Sequence, residues 1–485
     1  MNMLINILEF EKLLKEIVPS GLLSLPLLSK FGHVSFNGLF INKESKENLL
    51  NLLNSLDYVD RYEIVNNFLN IFFKKDILFS IDFTDIGKGE KINLEYCSPN
   101  PTGYLHLGHF RNIILGFALS NLLRLTNYDI TTEMYINDQG NQMNQFLETI
   151  KHYKNPEKDY KIYYKGDYVQ EIGKEITGEI TNKTVVPVIL NKVYNTLKKM
   201  NVYHDVISME SDMYADLQVI QKILEEKNLL YYGKLENQKA EGDQLILKTS
   251  ELGLDYDSVL QRNDGTYTYY AFDLAYHYNK LNRGFKNQII VLAVDHAQHS
   301  EKLMSVLNTI FGINLKVFEY EMFHLIENNQ IIAMSKREGT IINIDEMLEK
   351  MDLDYLKWII LSQNTGKVIH FNLDSISTNN PIFLFKYVFM RLNQITVNNS
   401  NSYSIDPNIY NEVFRRTLFF PIVLRDSVKN FDSHKILHFT FDLCENLNKF
   451  LGQIVENSVT ENDFILLQKS KFILDFASKI IDIKL

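Results

Sequence analysis

Hydrophobic and polar positions change their rhythm twice along the chain. Up to about residue 85 the pattern is that of a small α/β unit. It predicts a helix over Phe10–Ile17, Gly/Pro/Ser punctuation, a second helical stretch near Glu47–Leu56, and short alternating segments at Ile64–Ile71 and Ile77–Phe83. Gly87-Lys88-Gly89 then reads as a linker. From about residue 90 strands alternate with helices. Lys91–Cys97 reads as a strand stopped by Ser98-Pro99, His109–Leu123 as a helix and Ile130–Ile136 as a strand. Further on, Gln288–Val294 is a continuous apolar run of the kind buried on both faces, followed by a helix over Glu301–Ile310 that Gly312 ends. This alternation predicts a parallel sheet whose sites lie beyond the carboxyl ends of its strands. Residues 145–225 are richer in Lys and Tyr and read as an insertion.

From about residue 380 no strand pattern remains. Leu443, Leu447, Phe450 and Leu451 recur at helical spacing with Gly452 as a cap, and Phe464, Leu467, Ile473 and Leu474 repeat the theme. The expected organisation is therefore three pieces: residues 1–85, an α/β piece over 86–378, and a helical bundle over 379–485.

Composition narrows the class. With 485 residues, 45% hydrophobic and 23% charged, the chain suits a large globular protein and not a disordered or fibrous one. No apolar run approaches the ~18 residues of a membrane span. Cys97 and Cys444 are too few and too far apart for a disulfide framework or metal cage, which suggests a reducing, cytoplasmic setting. The first sixty residues lack arginine, unlike a transit peptide. Net charge is −10, yet from residue 379 onward 12 Lys and Arg face 11 Asp and Glu. A bundle relieved of the acid load can approach a polyanion through local patches, although chance fluctuation explains the count as well.

Two segments carry candidate chemistry. Ser98-Pro99-Asn100-Pro101-Thr102-Gly103-Tyr104-Leu105-His106-Leu107-Gly108-His109 places two histidines and a glycine where a helix begins. Free N–H groups there attract phosphate, Gly108 allows close approach, and His106 and His109 can donate to phosphate oxygens. A capping turn with incidental histidines fits an isolated tetrapeptide equally well. Far downstream, Ala333-Met334-Ser335-Lys336-Arg337 offers a hydroxyl and two adjacent cations suited to a departing pyrophosphate, or simply a solvated turn.

In this order the two segments resemble the HIGH and KMSKS signatures of class I aminoacyl-tRNA synthetases. Glu95-Tyr96-Cys97-Ser98-Pro99-Asn100, Tyr135-Ile136-Asn137-Asp138-Gln139-Gly140-Asn141-Gln142, Tyr164-Lys165-Gly166-Asp167-Tyr168, the long segment Asp264–His277 and Asn380-Pro381-Ile382-Phe383 narrow the resemblance to arginyl-tRNA synthetases. It is collinear over roughly residues 60–450. What it implies is a Rossmann-like class I catalytic domain with the KMSKS-like loop at 333–337, a small N-terminal α/β domain that contacts tRNA, and an all-α anticodon-binding bundle. The implied activity is formation of arginyl-adenylate from ATP with Mg²⁺, then transfer to the terminal adenosine of tRNA(Arg), by a cytoplasmic monomer without zinc.

Site roles follow by the same resemblance. Arginine would meet Glu95, Ser98, Asn100, His109, Tyr269, Asp273 and His296. ATP would meet Thr102, His106, Gly108, His109, Met334, Ser335 and Lys336, with His106, His109 and Lys336 as the catalytic set. Lys357, Tyr387 and Arg391 would face tRNA. A guanidinium is a planar five-donor fork, so carboxylates and amide oxygens that an ammonium cannot satisfy together suit it. Tyr269 and Asp273, four apart on a helix, would share a face. Departures are Ala333 in place of the first motif lysine, a weak Phe31–Asn37 match to the usual N-terminal helix start, and a chain end at Leu485 short of the usual C-terminal segment. A different HxGH nucleotidyltransferase, or an impaired paralogue that only binds tRNA, are the competing expectations.

Overall fold

The computed structural model describes residues 4–38, 43–74, 78–80, 85–235, 242–327, 330–331, 343–372, 380–399 and 403–485, leaving aside the side chains of 4, 5, 78–80, 296–299, 325, 327, 330 and 331. The chain forms two compact units, residues 87–376 and residues 1–86 with 377–485. The first and third expected pieces thus fold together as one unit.

In residues 87–376 a five-stranded parallel sheet has the spatial order Asn314–Tyr320, Asn287–Ala293, Lys91–Glu95, Asp129–Ile136, Val206–Met209. The first strand in sequence is central, and the chain builds outward to one side before crossing to the other. Connections leave in opposite directions from Lys91–Glu95 and Asn287–Ala293, which opens a crevice at their carboxyl ends. Ile289, Ile290 and Val291 of the continuous apolar run are buried, as is Leu94 on the neighbouring strand, while Leu292, Ala293 and Val294 at the carboxyl end are half-buried. The segment expected to be an insertion contains the sheet's edge strand, Val206–Met209. It is reached through three helices, Gly140–Lys154, Asp167–Glu175 and Asn182–Lys199. Its Lys/Tyr richness reflects a long helical crossover and not a break in the grammar.

Gly87-Lys88-Gly89 is a tight turn held to the end of the helix Leu107–Leu125 by Gly87 N–H to Thr126 O (2.8 Å) and Gly89 N–H to Asn127 O (2.7 Å). It is anchored as part of the domain.

The other unit joins a four-stranded antiparallel sheet (Leu22–Ser24, Val34–Asn37, Phe68–Phe73, Val59–Val65) to helices Pro381–Asn393, Pro407–Asn430, Ser433–Leu451 and Glu461–Ile481. Arg415, fully buried, donates to the carbonyls of Pro26 and Leu27 and to Glu412. Glu412 in turn accepts from Ser29 N–H at 3.0 Å. Arg425 pairs with Glu11, whose carboxyl is lowered by Arg425 and Lys15 against the raising effect of burial. Where no strand pattern was expected, Thr396–Val397 and Ser458–Val459 form a two-residue parallel bridge. It is too short to leave a periodic signal.

Candidate active site

At the end of Lys91–Glu95 the chain turns through Cys97, whose φ of 56° lies in the left-handed region that side chains disfavour. Asn112 Oδ1 accepts Cys97 N–H at 2.6 Å and, with its amide on Val291 O (2.8 Å), ties this corner to the neighbouring strand. Ser98 next offers its hydroxyl to Glu95 Oε1 (3.0 Å) and accepts Tyr135 N–H (3.0 Å). Asn100 donates to Gln142 Oε1 at 2.9 Å. Thr102 is buried inside the loop.

Leu107–Leu125 begins two residues earlier than the pattern predicts, with His106 as its cap. His106 Nδ1 accepts Gly108 N–H and His109 Nδ1 accepts His106 N–H, each at 3.1 Å. The space a Cβ of Gly108 would fill is occupied by the His106 ring, 2.8 Å away. Gly108 therefore lets the imidazole fold over the helix start.

Across the crevice lies the helix Tyr269–Asn282, capped by the Thr268 hydroxyl on Ala271 N–H. Tyr269, Asp273, Tyr276 and Lys280 recur at i, i+4, i+7 and i+11 and so line one face. Tyr269 is about half exposed at the mouth, where its hydroxyl lies 3.3 Å from the Cβ position of Gly140. Lys280, with no exposed side chain, pairs with Glu95 Oε2 at 2.8 Å. Asp273 is pushed up to about 7 by burial and then by the nearby charges of Glu95 and Glu210. Glu210 is raised to about 7 as well, by burial and by Asp138. Asp138 is itself held by Ser211 N–H (2.9 Å) and Ser211 hydroxyl (2.7 Å). The charges of Glu95 and Glu210 thus both bear on Asp273, and Glu95 and Glu210 each stand at or just past the carboxyl end of a sheet strand.

Sequence reasoning missed Glu210, Lys280 and the stacked pair Tyr135–Tyr276, whose rings lie 4.1 Å apart. The i+11 position of Lys280 on the Tyr269/Asp273 stripe was the available signal. His296 ends the turn Val294–His296 after Asn287–Ala293, and its side chain lies outside the described residues. So do Met334, Ser335 and Lys336 with Ala333 and Arg337.

Lys357 belongs to the helix Leu353–Leu361 of the catalytic unit and is 1% exposed, its ammonium 5.5 Å from the Phe117 ring. Burial excludes it from a tRNA-facing role. Tyr387 and Arg391 lie on Pro381–Asn393 in the other unit. Tyr387 is exposed, but the Arg391 guanidinium is engaged by Leu451 O (3.1 Å), Asn457 Oδ1 (3.3 Å) and the Tyr387 hydroxyl (3.0 Å). Arg391 fixes the helix more than it offers charge. Among the described residues no group of three or more His, Cys, Asp or Glu is placed to hold a metal, and no helix is long and apolar enough to cross a membrane.

Residues 77–397 match the family of class I tRNA synthetases (R), catalytic domain. The chain belongs to the class I arginyl-tRNA synthetases. It is 29% identical over 425 residues to the arginine–tRNA ligase of Ehrlichia chaffeensis, covering 78% of this chain and 74% of that protein. To that of Wolbachia pipientis subsp. Culex pipiens it is 28% identical over 404 residues, covering 76% and 71%. The fold of this synthetase is similar to Thermus thermophilus arginyl-tRNA synthetase (TM-score 0.73, 17% identity, 98% of both chains). It is also similar to the Plasmodium falciparum enzyme (TM-score 0.69, 16% identity, 98% and 96%). By homology over most of its length this arginyl-tRNA synthetase has arginine–tRNA ligase activity, which implies arginine, ATP and tRNA(Arg) as its substrates.

Proposed function

We propose that the acids at the end of the sheet hold the guanidinium while the two histidines meet the nucleotide phosphates. Glu95, Asp273, Tyr269 and Asn100 grip the flat cationic head with His296 as a further contact, and Ser98 and His109 approach the amino and carboxylate end. The arginine carboxylate oxygen attacks the α-phosphorus of MgATP in line, and the bond to the β-phosphate breaks to release pyrophosphate. His106 and His109 donate through Nε2–H to phosphate oxygens as charge develops. Met334, Ser335 and Lys336 act from the loop on the pyrophosphate side, as their sequence pattern implies. The terminal ribose hydroxyl of tRNA then takes the arginyl group, the carbonyl–phosphate bond breaks, and AMP leaves. No protein nucleophile enters, so catalysis is positioning and charge stabilisation.

One observation carries this reading: Lys280, two helical turns along from Asp273 on the same face, pairs with Glu95 at 2.8 Å, so that face meets the strand end leading into the HIGH-like turn. For tRNA we propose the unit of residues 1–86 and 377–485. Phe383, Tyr387 and Met390 form an exposed stripe at i, i+4 and i+7 on which bases can stack. A cleft of about 440 Å³ lined by Lys30, Arg61 and Lys74, with Asp60 as its acid, suits phosphates. We further propose a cytoplasmic monomer. ATP–pyrophosphate exchange with arginine, with and without tRNA(Arg), tests the reading. Exchange with arginine and not lysine supports it, and exchange unaffected by loss of Asp273 overturns the site assignment.

A further inference from the structure

Lys280 pairs with an acid of the crevice, yet it cannot be the substrate's stand-in, because its side chain is wholly enclosed. Its ammonium lies 2.8 Å from Glu95 Oε2 and 3.9 Å from the centre of the Tyr276 ring. Tyr276 is stacked on Tyr135, so the ammonium rests against a rigid aromatic wall. Ser98 occupies the other oxygen of Glu95 at 3.0 Å. The carboxylate is thereby held at both oxygens before any substrate arrives, and its plane is set from below by a residue one helical face shares with Tyr269 and Asp273.

We propose that Lys280 is a positioning residue of the arginine site, a fixed internal cation that orients Glu95 and sets the negative charge the pocket presents to one guanidinium. The inference rests on reading Glu95 and Asp273 as the guanidinium-holding pair.

The charges around Lys280 make this testable. From the sheet, Glu95 and Glu133 face it, and Glu133 is separately satisfied by Arg283 at 2.7 and 2.8 Å. On its own helix it acts on Asp273 and on His277, which is pushed down to about 3 by burial and then by Lys280. Glu210 reaches the same space through Asp273. Lys280 favours the charged form of Asp273, whereas Glu95 and Glu210 oppose it. Removing the ammonium leaves Asp273 protonated to higher pH, and removing Glu95 does the reverse. A residue that merely filled space would move neither.

The test is tRNA charging by the full-length enzyme across pH 6–9, with KM determined separately for arginine, ATP and tRNA. Lys280→Met is expected to raise the arginine KM at least tenfold at pH 7 with the other two KM values within about twofold. The acid limb of kcat/KM for arginine is expected to move up by about one pH unit. Lys280→Arg, which keeps the charge, retains the parent's limb. A folded Lys280→Met enzyme with the parent's limb overturns the proposal, as does a Lys280→Arg enzyme shifted as far as Lys280→Met.

Should Lys280→Met not fold, Glu95→Gln and the double variant Glu95→Gln/Lys280→Met decide instead. Glu95→Gln alone moves the limb down and the double variant brings it back toward the parent; identical limbs refute the idea. If neither Glu95→Gln nor Asp273→Asn raises the arginine KM, the pocket reading itself has failed. If both do while the Lys280 variants match the parent, only this inference has.

Discussion

His106 and His109 close the start of their helix on one another, each Nδ1 accepting a backbone N–H at 3.1 Å with the two rings 3.9 Å apart. A nitrogen that accepts a hydrogen bond cannot carry the proton, so both neutral rings hold it on Nε2. The helix cap and the orientation of the phosphate donors are therefore one device. His106→Asn keeps an acceptor near the Nδ1 position and removes the Nε2 donor. It should reduce arginine activation by about 10²–10³-fold. His106→Ala removes the cap too and should lose ~1 kcal/mol of stability besides. Pyrophosphate exchange and urea unfolding of both variants separate the two contributions. Equal stability loss in both would show that the cap is not made by the ring.

The pH dependence of arginine use follows from Asp273. Its carboxyl is raised from the usual range to about 7 by burial and by Glu95 and Glu210. Between pH ~4 and about 7 the native state keeps a proton the unfolded chain has lost. This group's contribution to stability is thus full below pH ~4 and falls as pH rises through about 7. Arginine has the opposite preference, because its guanidinium needs the carboxylate. The arginine KM should fall between pH 6 and 8, and calorimetry near pH 7 should detect proton release on binding. Asp273→Asn should be at least as stable as the parent at pH 8 while its arginine KM rises about 100-fold, the scale of a lost buried charge pair. A flat KM across that range contradicts the assignment.

Glu133 has no exposed side-chain surface, and Arg283, Ser208 and Asn93 satisfy its oxygens at 2.6–2.8 Å. Arg283→Met removes the guanidinium bonded to both oxygens, leaving Glu133 with Lys280 as a cation without a direct bond, and should lower the unfolding free energy by about 3 kcal/mol. Glu133→Gln, which keeps most acceptors and removes the charge, should cost less than the Arg283 change. Denaturant titration measures both.

The sheet was legible because Ile289–Val294 and the Lys91–Cys97 strand have lengths and breakers that permit little else. The site was legible only where a motif concentrated it. Glu210 sits in Met209-Glu210-Ser211-Asp212, indistinguishable by pattern from a solvated turn, and is brought into Asp273's electrostatic surroundings only when Val206–Met209 joins the sheet edge. Lys280 and Arg283 look like the charged end of a helix, although tertiary packing buries the first completely. Lys357 misled in the converse way. Its neighbours Trp358, Ile360 and Leu361 are all buried, and that apolar density was a better guide than the charge.

Phe383, Tyr387 and Met390 are exposed on one face of Pro381–Asn393, an expensive arrangement in water unless something covers it. Arg391 holds the Tyr387 hydroxyl while bonding Leu451 O and Asn457, so the ring is presented in a fixed attitude. Rigid aromatics suit unstacked bases, whereas phosphates call for cations. Tyr387→Ala should raise the KM for tRNA about tenfold, the weight of one stacked base, with arginine and ATP unaffected. Because stacking releases no counterions, the slope of log KM against log salt should stay that of the parent. Lys74→Ala, in the cation-lined cleft, should reduce that slope by roughly one charge. Parallel salt titrations of the two variants thus sort base contact from backbone contact. A Tyr387→Ala enzyme that binds tRNA as the parent does would place the anticodon surface elsewhere.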